Sequence, residues 1–208
     1  MKKYFVEFIG TFFLIFTIGS TVISPGAGPI GAPIAIGASL MVMVFAGGHI
    51  SGAHFNPAVT LAVWMRGKCE TKDVLPYWIA QFAAAFVAAW LVRFIKLPGS
   101  AEPLPIGWKA ALLVEFLFTF ALSWVVLNVA TAKNTAGNSF YGLAIGMTVM
   151  TGAYAVGGIS GGAFNPAVAT GITLMGLSFW HNYWVLIAGE VGGAIAAAAA
   201  YRLANGQD

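Results

Sequence analysis

Apolar runs of roughly twenty residues recur along the chain, separated by short polar or Gly/Pro-rich breaks. A bilayer core takes about 20 apolar residues in helix to cross. On that measure the pattern predicts six spans, at about 4–23, 33–48, 75–95, 109–131, 138–157 and 183–203. Two further segments, 49–67 and 158–177, are apolar but too short and too glycine-rich to cross alone, and read as re-entrant pieces. Pro25 and Pro29 with Gly26, Gly28 and Gly31 mark the first loop. Pro98, Pro103 and Pro105 mark the middle loop, and residues 132–137 make a polar break. The expected fold class is an all-α membrane protein, six transmembrane helices plus two re-entrant half-helices, forming a single domain over 1–208.

The re-entrant segments resemble each other. His49-Ile50-Ser51-Gly52-Ala53-His54-Phe55-Asn56-Pro57-Ala58-Val59-Thr60 returns as Gly158-Ile159-Ser160-Gly161-Gly162-Ala163-Phe164-Asn165-Pro166-Ala167-Val168-Ala169, with Asn56 and Asn165 109 positions apart. The likeness extends further. Val6-Glu7-Phe8 matches Val114-Glu115-Phe116 at an offset of 108, and Ala35-Ile36-Gly37 matches Ala144-Ile145-Gly146 at 109. Repeat 1 is placed at about 1–97 and repeat 2 at about 106–208. Three spans per repeat put the second copy in the opposite sense, so the repeat is inverted about an axis in the membrane plane. With the N-terminus inside, Lys2, Lys3, Arg66, Lys68, Lys72, Lys133 and Arg202 fall on the inner side and Arg93, Lys96 and Lys109 outside. Inner loops carry the excess of Lys and Arg, so both termini are expected in the cytoplasm.

Composition agrees. The chain is 59% apolar and 8% charged, against about 25% charged in a soluble domain, so most of its surface is expected to face lipid. The net charge of +3 comes with no basic stripe, which excludes a nucleic-acid partner. The N-terminal Met1-Lys2-Lys3 and apolar run could pass for a signal peptide, but 4–23 is long enough to span and contains Glu7. Cys69 is the single cysteine; neither a disulfide, a metal site nor a cofactor is expected. The seven tryptophans fall mostly near span ends, where interface anchoring accounts for them.

Asn followed by Pro after a glycine-rich stretch reads as a helix start: Asn caps, and Pro at the first helical position lacks only an N–H that would be unpaired anyway. Two such starts abutting near the bilayer midplane would oppose their positive dipole ends, admitting a neutral hydrogen-bonding solute and repelling cations, hydronium included. Glu7 and Glu115, at matching positions within spans, are expected to accept hydrogen bonds from loop amides and fix the loops. His49 and His54 flank the first loop, where a bracing hydrogen bond is expected. Gln81 and Glu190 lie at matching positions and read as helix–helix polar contacts. His181 reads as incidental.

These residues resemble the aquaporin, or major intrinsic protein, family over essentially the whole chain: six spans, an inverted repeat, Asn56-Pro57-Ala58 and Asn165-Pro166-Ala167, and a glutamate in spans one and four. The resemblance implies a right-handed bundle with one pore per protomer and a homotetramer. It also implies a selectivity filter at Ile36, Ala153, Gly162 and Val168. Here the chain departs from the family. Most members carry arginine where Val168 stands, and water-selective members usually carry phenylalanine and histidine in place of Ile36 and Ala153. Glycerol facilitators usually have Arg-Asp where this chain has Val168-Ala169. The Ile-Ser-Gly-Gly and Asn-Pro-Ala-Val forms are similar to some plant tonoplast-type members, often permeable to ammonia, urea or peroxide.

The expected function is a passive channel for water and small neutral solutes, with glycerol, urea, ammonia and hydrogen peroxide as candidates. The four filter residues make a wide ring without fixed charge, which costs a polar solute some desolvation but admits solutes larger than water. The alternative is that Val168 alters only packing and the channel is mainly water-selective; Tyr154, beside Ala153, would narrow the ring if it turned inward. A secondary transporter also uses inverted repeats and broken helices, but the only duplicated acids are better used bracing loops. With no nucleophile–base set, an enzyme is not expected. Short termini and tight loops suggest a bacterial plasma membrane and no regulatory tail.

Overall fold

The computed structural model describes residues 1–96 and 101–206. Pro98, the end of repeat 1 at 97 and the last two positions of repeat 2 lie outside the described residues. The fold is all-α, with no strand among the described residues. In chain order the helices are α1 (Lys2–Val22), α2 (Gly28–Ser51), α3 (Pro57–Met65), α4 (Thr71–Lys96), α5 (Trp108–Val126), α6 (Tyr141–Ser160), α7 (Pro166–Leu174) and α8 (Tyr183–Asn205). Among the described residues six stretches are long and apolar enough to cross a membrane, one of them α5 continued to Thr131 through a widened turn, Leu127–Thr131. That turn is held by side chains: Asn128 Nδ2 donates to the Trp124 carbonyl at 2.8 Å and Thr131 Oγ1 to that of Leu127 at 2.6 Å.

Helix ends differ from the sequence expectation in two places. α2 begins at Gly28 and not near residue 33, so Pro29 and Gly31 belong to its first turn. Proline is tolerated there because its missing N–H has no intrahelical partner. α2 and α6 also run on to Ser51 and Ser160, so only 52–56 and 161–165 separate these spans from the half-helices that follow. Gly52 and Gly161 stop these helices in the left-handed region, at φ 84° and 96°, where glycine carries no Cβ penalty.

α3 and α7 have nine residues each. At 1.5 Å per residue they rise about 13 Å, under half of a core about 30 Å thick. End to end they make one crossing. α1 packs on α2 and α4, and α5 packs on α6 and α8. α2 meets α6, α3 packs on α8 and α7 on α4. Small residues permit the close approach: Ala84, Ala85, Ala88 and Ala89 are buried on α4, and a Cβ on Gly193 would lie 2.4 Å from the Phe116 carbonyl oxygen. Near the start of α1, Lys3 pairs with Asp73 of α4, which also accepts from the Tyr4 hydroxyl at 2.6 Å.

Candidate functional site

The two irregular loops meet head to head. Asn56 caps α3: its Oδ1 accepts from the backbone N–H groups of Ala58 at 2.8 Å and Val59 at 3.3 Å. Asn165 caps α7 in the same way, from Ala167 at 2.9 Å and Val168 at 3.4 Å. Each asparagine also reaches across. Asn56 Nδ2 donates to the Phe164 carbonyl at 2.8 Å, and Asn165 Nδ2 donates to the Phe55 carbonyl at 2.9 Å. One N–H of each is thus engaged with the opposite loop. Both asparagines line the cavity.

The cross-links depend on unusual backbone. Ala53, Phe55 and Phe164 all have φ near +50°, a conformation costing about 1–3 kcal/mol for a non-glycine residue. Buried carboxylates hold it in place. Glu7 Oε1 accepts from Ser51 Oγ at 2.7 Å and His54 N at 2.9 Å, and Oε2 from Phe55 N at 2.7 Å and Gln81 Nε2 at 2.8 Å. Glu115 Oε1 accepts from Ser160 Oγ at 2.6 Å and Ala163 N at 3.0 Å, and Oε2 from Phe164 N at 2.7 Å. Helix positions make room for the rings: a Cβ on Gly10 would lie 2.3 Å from the Phe55 ring, and one on Gly152 2.5 Å from that of Phe164.

His49 does not brace the loop. It is exposed near the end of α2 and makes no hydrogen bond among the described residues. The helix continues through it, so its side chain leaves on the outer face. The buried imidazole is His54, with Nδ1 3.1 Å from Thr60 Oγ1 and its ring against Tyr77. Gln81 also donates to Thr60 Oγ1, at 3.1 Å. Glu190, read as a helix–helix contact, is fully buried on α8 with neither carboxyl oxygen in a hydrogen bond among the described residues.

Ile36, Ala153, Gly162 and Val168 all line one cavity of about 70 Å³. A water needs about 10–15 Å³ on this measure, so the space holds a short file of small molecules. The rest of the wall is nearly all aliphatic, and its members fall at the repeat offset: Leu14 with Leu122, Ile18 with Val126, Ile36 with Ile145, Leu40 with Val149, and Val59 with Val168. Sequence reasoning missed most of these wall positions, although their spacing of 108 or 109 was the available signal. The polar part of the wall comes from His54, Asn56 and Asn165, with Gly161, Gly162 and Ala163 of the second loop. Tyr154 is not on the wall; its hydroxyl donates to the Ile30 carbonyl at 2.5 Å. Cys69, between α3 and α4, is a half-buried free thiol whose pKa burial pushes up.

Six spans and two half-helices whose N-termini abut beside an axial cavity define a membrane channel. The chain belongs to the major intrinsic protein family, whose model matches residues 1–201; members are passive channels for water and small solutes and not enzymes. It is 40% identical over 215 residues to aquaporin NIP1-1 of Oryza sativa subsp. japonica, covering 98% of this chain and 74% of that one. It is 36% identical over 218 residues to glycerol uptake facilitator protein-like 6 of Lactiplantibacillus plantarum, covering 100% of both. The plant relatives it matches include several of the NIP type. An aquaglyceroporin from Plasmodium falciparum shares the fold, with TM-score 0.79 over 96% of this chain and 94% of that one at 24% identity.

Proposed function

We propose that the protein is a channel of weak water selectivity that also passes small neutral solutes, with glycerol, urea, ammonia and hydrogen peroxide as candidates. One observation carries the reading: the four filter positions share one cavity wall and none bears a polar side chain. An arginine at 168 would narrow the cavity, donate hydrogen bonds and repel cations; Val168 does none of these. Desolvation is then offset by the backbone of the second loop, by His54 and by the second N–H groups of Asn56 and Asn165, a pattern that suits solutes with both apolar and hydrogen-bonding faces. Ion and proton exclusion rests on the opposed half-helix ends, each equivalent to about half a positive charge. The name of the Lactiplantibacillus relative supports glycerol as one permeant.

In this reading the chain is one domain of two inverted repeats, Asn56-Pro57-Ala58 and Asn165-Pro166-Ala167 form the central constriction, and Glu7 and Glu115 brace it. The protein sits in a bacterial plasma membrane with both termini cytoplasmic, as the distribution of Lys and Arg favours, and assembles as the family's homotetramer.

The test is stopped-flow light scattering on proteoliposomes, with sucrose, glycerol, urea and ammonia gradients applied to wild type and Val168→Arg. Fast re-swelling with urea or glycerol, lost in the variant, is expected. Fast water flow without solute entry in the wild type would instead make this a water-selective channel.

A further inference from the structure

The two loop-bracing carboxylates have different neighbours. In the first half, Gln81 of α4 donates its amide to Glu7 at 2.8 Å and to Thr60 Oγ1 at 3.1 Å. The residue 109 positions on is Glu190 of α8, and the counterpart of Thr60 is Ala169, which offers no side-chain oxygen. Glu190 is 0% exposed, and both its oxygens lack a hydrogen-bond partner among the described residues. The helices are in contact here: a Cβ on neighbouring Gly189 would lie 2.9 Å from Glu115 Cβ and 2.8 Å from the Leu112 carbonyl oxygen. Glu115 is the charge that acts on Glu190, and the backbone N–H of Asn165 approaches the same carboxyl without reaching hydrogen-bond geometry.

Other charged groups are remote. α5 presents Glu115; its Lys109 lies over the Trp108 ring, nearly two turns back. α3 and α7 carry no titratable side chain, and Arg66, which follows α3, lies over the Tyr201 ring, about three turns along α8. Within α8 itself, Tyr183, Tyr201 and Arg202 are two or more turns away, and His181 of the preceding turn is farther than Tyr183. Among the described residues no cation is in place to neutralise two carboxylates. Two adjacent buried carboxyls cannot both ionise without such a partner.

We propose that Glu115 and Glu190 hold one proton between them at neutral pH, and that neutral Glu190 is a positioning residue that does for the second loop what the Gln81 amide does for the first. Its O–H donates to Glu115, and its carbonyl oxygen is left for the Asn165 amide. The loop carrying Gly162 and Asn165, which leads into α7 and Val168, is therefore fastened by a titratable link, whereas the loop carrying Asn56 is fastened by one that does not titrate. Alkaline conditions that remove the proton place two negative charges side by side and loosen the filter side of the cavity.

The test has two arms, and only the flux arm rests on the channel reading. Infrared spectra of the wild-type protein in lipid at neutral pH should show a protonated-carboxyl C=O band that shifts in heavy water and is missing in Glu190→Gln. Solute flux through the wild type should fall several-fold as pH rises into the alkaline range, while the profile of Glu190→Gln stays flat. A wild type without such a band, a band that survives Glu190→Gln, or superimposable pH profiles would overturn the proposal. If Glu190→Gln does not assemble, Gln81→Glu puts the same pair in the first half and should add a second protonated-carboxyl band; a spectrum with no added band counts against the idea. Loss of flux at every pH with the band intact would tell against the channel reading and leave the shared proton standing.

Discussion

Glu7 holds four donors with two oxygens, and two of those donors are backbone amides at the start of a turn that cannot reach water. Leaving such a group buried without an acceptor costs about 1–3 kcal/mol each. Glu7→Ala orphans the His54 and Phe55 amides and takes from the Gln81 amide one of its two acceptors, and Phe55 loses the acceptor that holds its N–H at φ 49°. Ser51→Ala removes one bond to the carboxylate and one from Ala53 N, at 3.0 Å. Glu7→Ala is therefore expected to lower the melting temperature in detergent much more than Ser51→Ala; equal losses would show that the carboxylate is not what fixes the loop. The duplicated acid was readable in the sequence because a charge in an apolar span needs partners and two in register need the same partners. Its donors, the role of His54 over His49, and the solitary state of Glu190 were not. They depend on where helices end and which way side chains leave them, and a pattern of residue types carries neither.

Each half-helix presents an N-terminus to the other, and the asparagines join them through the carbonyls of Phe55 and Phe164. Both half-helices were legible from Asn-Pro behind glycines; the cross-link was not, since it exists only because two phenylalanines adopt left-handed backbone. The start of α2 was misread for a related reason: Pro29 and Gly31 are loop residues by composition, yet a first helical turn accepts proline. The paired ends also set a charge balance. Two helix termini of about half a unit each sum to about one positive charge, so a single carboxylate at the junction offsets the whole barrier. Asn56→Asp keeps the Oδ1 acceptor that caps α3, loses the donor to Phe164, and adds that carboxylate. The variant is expected to admit protons or small cations, read as faster dissipation of a pH gradient in proteoliposomes loaded with a pH-sensitive dye. A wild-type rate would mean that exclusion resides elsewhere along the cavity.

One joint between the halves is the crossing of α2 and α6, where the contact is made by residues that match in the repeat. A Cβ on Gly37 would lie 2.8 Å from the Gly146 carbonyl oxygen and 2.7 Å from Met150 Cβ; one on Gly146 would lie 2.5 Å from the Gly37 carbonyl oxygen and 2.6 Å from Met41 Cβ. The obstacles are backbone and Cβ atoms, which cannot swing aside as the end of a long side chain can. A methyl group at either position must push the helices apart, and overpacking of this kind costs about 1–3 kcal/mol. Ile36 and Ile145, the residues just before these glycines, both line the cavity, so the displacement reaches the pore wall. Gly157 supplies the control on the same helix: a Cβ there meets nothing within 4 Å, and Ala gains about 1 kcal/mol over Gly in a helix interior. Gly146→Ala is expected to lower the melting temperature and alter solute flux, whereas Gly157→Ala leaves flux alone and holds or raises stability. If the two variants behaved alike, the α2–α6 crossing would not be the joint that sets the cavity, and the matched glycines would reflect only a general preference for small residues between membrane helices.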